Sequence, residues 1–174
     1  MKAIFISVRT GSSRLPNKSI LKIRGKHTIE YVIDSVKKSK YADKIVLCTT
    51  KKSEDDILCE IAEKHNIEYY RGSEHNKFKR WCGAAHVNFF VTADGDDLFY
   101  DSQLADICFK QGDGYQFVNG QGLYNDTYGF RLSAIENIIE KLDGEIIEPH
   151  EVSTFISDIG LITLVLNDVP DILK

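Results

Sequence analysis

The sequence predicts an α/β fold in which a mostly parallel central sheet carries helices on both faces. The prediction rests on short, apolar, β-branched segments that alternate with segments of helical periodicity through the first half of the chain. Such alternation requires right-handed crossovers that bring successive strands parallel to one another. The expected strands cover residues 2–8, 43–48, 67–70 and 88–92.

Two full helices are expected between these strands. Thr28 is expected to cap a helix that runs to about Lys38, because apolar residues recur there at helical spacing. Ser53 is expected to cap the second helix, and Asn66 to mark its end. Only a short helix is expected between Arg80 and the fourth strand. The predicted buried stripes are Ile29, Val32, Ile33 and Val36, then Ile57, Leu58, Ile61 and Ala62.

The second half of the chain carries weaker signals. Helices are expected over residues 103–110 and, after a Ser133 cap, over 134–139. Glycines and polar residues over 112–129 predict irregular structure or short strands, and a β-branched run predicts a strand over 160–166. Because no linker, repeat or low-complexity tract is visible, we expect a single domain.

The composition excludes several classes of protein. A formal net charge of −4 excludes a nucleic-acid binder that works by bulk charge. No apolar run reaches the ~18 residues of a membrane span, and Arg9 ends the first apolar run too early for a signal peptide. The cysteines show neither a CxxC motif nor zinc spacing. We therefore expect a cytoplasmic protein without a nucleic-acid or membrane partner.

A loop with three cations follows the first predicted strand. Residues 9–18 read RTGSSRLPNK, which places Arg9, Arg14 and Lys18 around a glycine and two serines. Glycine lets backbone N–H groups approach an anion, and arginine presents a planar fork to phosphate oxygens. This loop could neutralise a triphosphate at the carboxyl end of a strand, where such sheets bind ligands. The same charges would also suit a solvated basic loop.

An acidic cluster follows the fourth predicted strand. Asp94, Asp96 and Asp97 surround Gly95 within four consecutive positions. Carboxylates at a strand end suit Mg²⁺, which takes one or two of them and completes its shell with phosphate oxygens and water. The alternative is an acidic turn that caps the following helix, a role for which Asp101 is also placed.

The loop RTGSSRLPNK resembles the RxGSxRLPxK signature of CTP-dependent cytidylyltransferases, which activate acidic sugars such as KDO and sialic acids. Spore-coat polysaccharide proteins and several phosphonate-pathway enzymes are related to them. The resemblance implies a Rossmann-like nucleotide-diphospho-sugar transferase fold, Mg²⁺ as cofactor, a place in polysaccharide biosynthesis and a homodimer. It covers residues 1 to about 110 well and the remainder in outline.

The resemblance assigns roles to individual residues. The segment GDDLFYDS over 95–102 aligns with the family's GDxPLIDP, without its prolines, and places Asp96 on the metal-binding aspartate. The implied catalytic set is Arg9, Arg14, Lys18 and Asp96, of which the three cations bind the CTP phosphates. The implied nucleotide-binding set adds Thr10, Gly11, Ser12, Ser13, Thr50, Arg71, Gly72, Ser73 and Asp94.

Further segments extend the resemblance. Residues 49–56 resemble a TTxxxxDD stretch, and residues 71–80 resemble RGSExxxxxR, in which Arg80 contributes to acceptor binding. His150 lies in a loose counterpart of an EHVTxY segment and is a second acceptor candidate. Asp168 is a candidate for the family's second metal-binding aspartate. Residues 49–56 and 71–80 could instead form a strand-end turn and a helix cap, and His150 could be structural. The second metal-binding aspartate could be missing through truncation or natural loss.

We therefore expect one nucleotidyltransferase domain over residues 1–174, with a nucleotide- and metal-binding half over 1–110 and a compact, truncated acceptor half over 111–174. The expected reaction is Mg²⁺-dependent transfer of CMP from CTP to an acidic sugar or a small phosphonate or phosphate, with release of pyrophosphate. Two alternatives stay open. One is an enzyme of the same fold that uses another NTP and a sugar 1-phosphate, and the other is a catalytically incomplete nucleotide-binding module.

Overall fold

A seven-stranded sheet runs through the centre of the protein in the computed structural model, which describes residues 1–11, 15–120, 127–141, 156, 159–166 and 169. A separate two-stranded hairpin lies beside it. The strands are β1 (Lys2–Ser7), β2 (Lys22–Ile23), β3 (Lys26–His27), β4 (Lys44–Thr50), β5 (Glu68–Gly72), β6 (Phe89–Asp94), β7 (Phe117–Asn119), β8 (Tyr128–Arg131) and β9 (Thr163–Val165).

The central sheet has the strand order β5-β4-β1-β6-β8-β7-β9. Strands β5, β4, β1 and β6 are mutually parallel, β8 is antiparallel to both of its neighbours, and β9 is parallel to β7. The register aligns Ser7 with Cys48 and Asp94, and Thr50 with Gly72. The carboxyl ends of four parallel strands therefore lie at one edge of the sheet.

Helices cover both faces of the sheet, which confirms the predicted fold class. The helices are α1 (Thr28–Val36), α2 (Asp56–Lys64), α3 (Lys77–Ala84), α4 (Ser102–Gln111) and α5 (Leu132–Lys141). Helices α1, α2 and α4 pack against Ile4 and Ile6 of β1, whereas α3 and α5 pack on the face of Phe5, Phe90 and Phe130. Among the helices that the structure describes, none has the length and hydropathy of a membrane-spanning segment.

The first two helices begin differently from the prediction. His27, not Thr28, is the N-cap of α1, and it forms a capping box in which the Glu30 side chain accepts the His27 N–H at 2.8 Å. Ser53 does not cap α2, because Ser53–Asp55 form a 3₁₀ turn before that helix begins. Asn66 follows the end of α2 with a φ of 52°, as its predicted role as a helix stop requires.

Helix α3 begins earlier than the sequence predicts and is longer than the expected short helix after Arg80. Asn76 caps it by accepting a hydrogen bond from the backbone N–H three residues on, at 2.8 Å. Phe78 and Trp81 are fully buried on its inner side, with ring centroids 5.4 Å apart in an edge-to-face arrangement. Charged residues between the two aromatics hide this apolar stripe in the sequence.

The second half matches the prediction in outline and differs in its bounds. The segment 112–129, predicted to be irregular or to form short strands, contains the short strand β7 and the start of β8. Asp101 caps α4 by accepting the Gln103 N–H at 2.8 Å. Ser133 is wrong as a cap because it lies inside α5. Strand β9 is shorter than the predicted 160–166, since Gly160 adopts a φ of 75° in a turn.

Glu30 is a buried carboxylate that joins α1 to α2. Its side chain is 4% exposed and bonds to the Lys64 ammonium at 2.8 Å and to His65 Nε2 at 2.9 Å, in addition to the His27 N–H. Burial by itself raises the pKa of Glu30, but the three partners outweigh burial and hold that pKa at about 2, below its ordinary 4.5.

Glu30→Gln should therefore destabilise the protein at neutral pH and flatten its acid unfolding. A depressed carboxyl pKa stabilises the fold above pH 4.5, and this stability is lost as the pH falls towards about 2. The wild-type advantage at pH 7 should approach ~3 kcal/mol and shrink towards pH 2. Urea unfolding across this pH range measures it, with exposed Glu60→Gln as control. Equal pH slopes for Glu30→Gln and wild type would contradict the assignment.

Candidate active site

Loops from four strand ends meet at what we call the carboxyl edge, formed by residues 8–11, 50–52, 72–74 and 94–97. The predicted site residues that lie at this edge, or next to it, are Arg9, Thr10, Gly11, Lys18, Thr50, Arg71, Gly72, Ser73, Arg80, Asp94 and Asp96. The predicted residues Ser12, Ser13, Arg14, His150 and Asp168 lie outside the described part of the chain.

Asp55 is a fully buried carboxylate at the carboxyl edge. Its Oδ1 accepts hydrogen bonds from the Thr10 N–H and the Thr10 hydroxyl, both at 2.8 Å. Its Oδ2 accepts the Thr50 N–H at 3.3 Å and the Thr50 hydroxyl. Burial raises the pKa of Asp55, but these hydrogen bonds outweigh it and hold that pKa below its ordinary value. The carboxylate therefore stays ionised and joins the end of β1 to the end of β4.

Lys18 and Asp96 form an ion pair across the carboxyl edge. Lys18 begins the 3₁₀ turn Lys18–Ile20, and the Thr28 hydroxyl of α1 donates to its carbonyl at 2.6 Å. Asp96 follows the end of β6. The structure thus brings together the lysine predicted to bind phosphate and the aspartate predicted to bind metal, which are 78 positions apart in the chain.

The turn after β6 is fixed against the end of β1. The Gly95 N–H donates to the Ser7 carbonyl at 2.9 Å, and the Asp97 N–H donates to the Asp94 carbonyl at 3.1 Å. A Cβ atom at Gly95 would lie 2.5 Å from Val8 Cβ, so the close approach of the two backbones needs glycine. This contact sets the position of the aspartates on either side of it.

Lys77 and Trp81 of α3 also reach the carboxyl edge, and the sequence motifs did not indicate them. The Lys77 ammonium lies 3.4 Å from Asp94 Oδ1 and 5.1 Å from the centre of the Trp81 ring. The Trp81 indole N–H donates to the Ser7 hydroxyl at 2.6 Å. Trp81, the one tryptophan in the sequence, was the available signal, since a buried indole needs an acceptor for its N–H.

Two arginines of the predicted site hold loops in place. Arg71 donates to the carbonyls of Thr50 and Lys52 at 3.0 and 2.6 Å, and its Nη1 lies 2.6 Å from Asp56 Oδ1. Arg80 is 2% exposed and donates to the Ser73 carbonyl at 2.5 Å. Both side chains therefore order the chain around the loops after β4 and β5.

A cleft of about 490 Å³ opens between the ends of β4 and β5 and is lined by Lys51, Lys52, Gly72, Ser73 and Glu74. Lys52 and Glu74 form an ion pair across it, and the Lys52 ammonium lowers the pKa of the Glu74 carboxyl. The Arg9 guanidinium donates to the Glu74 carbonyl at 3.4 Å. The start of the cationic loop, residues 9–18, therefore contacts a residue that lines the cleft.

The carboxylates at this edge fit a metal that arrives with a phosphate ligand. Within the described residues, no group of three or more His, Cys, Asp or Glu side chains could hold a metal ion. The Asp94 and Asp96 side chains are 54% and 36% exposed, so both remain accessible. Because Mg²⁺ needs one or two carboxylates and otherwise accepts phosphate oxygens and water, this donor set suits it.

Comparisons with known proteins place the chain among related sequences. The family model described as Cytidylyltransferase matches residues 3–96, more than half of the chain. Uncharacterized protein MJ1063 of Methanocaldococcus jannaschii is 30% identical over 162 residues, which cover 86% of this chain and 67% of that protein. The spore coat polysaccharide biosynthesis protein SpsF of Bacillus subtilis is 28% identical over 124 residues, which cover 65% of this chain and 52% of SpsF.

A solved structure of a cytidylyltransferase from Leptospira borgpetersenii has the same fold. Its TM-score is 0.81 at 24% identity, and the match covers 98% of this chain and 77% of that one. The chain therefore spans about half the length of SpsF and about two thirds of the length of MJ1063.

Gly95→Ala should destabilise the protein by about 1–3 kcal/mol, because the new methyl group must displace Val8 or the turn itself. Urea unfolding at pH 7 measures the change. Gly11→Ala is the matched control, since its added Cβ would meet the flexible end of the Glu54 side chain at 2.9 Å. If Gly95→Ala is as stable as Gly11→Ala, the close contact between β1 and the turn does not constrain the site.

Proposed function

Because the chain belongs to the cytidylyltransferase family, whose members are nucleotidyltransferases, we propose that it transfers CMP from CTP to a small acidic acceptor and releases pyrophosphate. The observation that carries the proposal is the contact between Lys18 and Asp96 at the carboxyl edge. It supports a site in which a cation for phosphate and a carboxylate for Mg²⁺ act on the same triphosphate.

The nucleotide is assigned to the loops of the carboxyl edge. Arg9, Arg14 and Lys18 bind the β- and γ-phosphates, with Thr10, Gly11, Ser12 and Ser13 between them. Gly72 and Ser73, which line the cleft after β4 and β5, complete the set together with Thr50 and Asp94. Arg71 contributes through the loops that it orders, since its three hydrogen-bonding groups already contact the chain there.

The protein contributes charge neutralisation and positioning to the reaction. An acceptor oxygen forms a bond to the α-phosphorus of CTP, the bond from that phosphorus to the bridging oxygen breaks, and pyrophosphate leaves. The three cations stabilise the negative charge that develops on pyrophosphate. Mg²⁺ held by Asp96, with Asp168 as a second candidate ligand, supplies further neutralisation of phosphate and acceptor oxygens when bound.

The acceptor is assigned mainly to residues 111–174, together with Arg80. The nucleotide and the metal at Asp96 are assigned to residues 1–110, which contain the whole family match. The name of SpsF, which refers to polysaccharide biosynthesis, supports a sugar as the acceptor. Arg80 acts on the acceptor through the Ser73 carbonyl that it holds, and His150 is the second candidate. We also propose that the protein acts in the cytoplasm as a homodimer.

Asp96→Asn should remove the Mg²⁺-dependent part of CTP binding without unfolding the protein. Without Mg²⁺ the variant should bind CTP at least as tightly as wild type, because Lys18 loses its competing carboxylate. With Mg²⁺ only wild type should gain affinity. Titration calorimetry with CTP, with and without Mg²⁺, measures both, and Asp113→Asn, whose side chain is 96% exposed, is the control. A full Mg²⁺ response in Asp96→Asn would exclude Asp96 as the metal ligand.

Arg14→Ala should raise the Kd of CTP about tenfold, the cost of one charged hydrogen bond to phosphate. The Kd of CMP should stay unchanged, because CMP lacks the β- and γ-phosphates. Fluorescence or calorimetric titration measures both constants. Arg24→Ala, which removes an exposed arginine from the β2–β3 hairpin, serves as the control. An unchanged Kd of CTP in Arg14→Ala would count against the phosphate loop.

A further inference from the structure

We propose that Asp55 is a positioning residue that sets the affinity of the cationic loop for triphosphate, an inference that rests on the proposed function. Asp55 itself is fully buried and does not face the carboxyl edge as a ligand. It acts through Thr10, which lies beyond the end of β1 and donates two hydrogen bonds to Asp55 Oδ1. The other oxygen binds Thr50 in the same manner.

The carboxylate continues the attachment of β1 to β4 beyond the end of the sheet. The last backbone bond between the two segments runs from the Val8 N–H to the Cys48 carbonyl at 3.2 Å. Two residues further along, the Asp55 side chain joins the two segments. It accepts hydrogen bonds from the N–H and hydroxyl of Thr10 and from those of Thr50. Asp55 thus fixes the separation of the two segments where backbone pairing has stopped.

Thr10 contacts both Asp55 and Asn17, and so connects the two ends of the cationic loop. Its N–H and hydroxyl are held by Asp55, and its carbonyl accepts the Asn17 N–H at 3.1 Å. This backbone contact brings Asn17 next to Thr10, and Lys18 follows directly after Asn17. A shift of Thr10 is therefore expected to move Asn17 and Lys18 relative to Asp96, which pairs with Lys18.

Charge and position predict opposite effects at Asp55, which makes the proposal testable. A buried negative charge beside the loop repels phosphate, so electrostatics alone predicts tighter triphosphate binding in Asp55→Asn. Asn offers only one acceptor oxygen and places its amide against an N–H donor of Thr10 or Thr50. The positioning role therefore predicts weaker binding in the same variant.

The experiment measures the Kd of inorganic triphosphate, CTP and CMP for the full chain by titration calorimetry. Asp55→Asn and Thr10→Val, which removes one hydroxyl donor, are expected to weaken triphosphate and CTP binding by about tenfold and to leave CMP unchanged. Thr10→Ser keeps both donors to Asp55 and should recover most of the affinity that Thr10→Val loses. Glu30→Gln removes a second buried carboxylate, which bonds to His27, Lys64 and His65, and controls for general loss of stability.

The outcomes separate this inference from the proposed function. Equal or tighter triphosphate binding by Asp55→Asn and Thr10→Val overturns the positioning role, as does an equal loss of affinity in Glu30→Gln. If Asp55→Asn does not fold, Thr10→Val and Thr10→Ser alone decide the result. If the wild-type protein binds inorganic triphosphate in an Asp55-dependent way but binds CTP no more tightly than triphosphate, the positioning role is supported and the proposed function is overturned. Wild type that binds neither ligand overturns both.

Discussion

Parallel pairing of β1 with β4 on one side and β6 on the other is the constraint on which the rest of the structure depends. The register aligns Ser7 with Cys48 and Asp94, so the loop after β1 leaves the sheet between two other strand ends. A parallel sheet must be covered on both faces, and the helices there keep residues 3–7 buried. The candidate site is therefore built from loops that start at a rigid edge.

Opposite charges at this edge neutralise one another. Lys18 pairs with Asp96 and Lys77 with Asp94, so aspartates that would repel each other lie beside cations. Pairs this exposed contribute only about 0–1 kcal/mol each. Under the proposed function, the phosphates of CTP and their Mg²⁺ can therefore take over these partners at little cost. The positions of the charges are set by backbone contacts such as that of Gly95 with Ser7.

The predictable features are those that short stretches of sequence encode. Hydrophobic periodicity indicated the sheet and its faces, and the position of the motifs after strands one and four placed Lys18 and Asp96 at the same edge. The role of Asp55 was not predictable, because its partner Thr10 lies 45 positions away and only folding brings them together. The His27 cap was missed because threonine is the commoner cap residue.

The most direct test of the account is thermal unfolding with CTP, UTP, ATP and GTP, each with and without Mg²⁺. A ligand at about 100 times its Kd stabilises a protein by roughly 2.7 kcal/mol, which raises Tm by a few degrees at this chain length. The account predicts a rise that is largest with CTP and larger still with Mg²⁺. A larger rise with another nucleotide, or none with any of the four, would contradict a CTP site at the carboxyl edge.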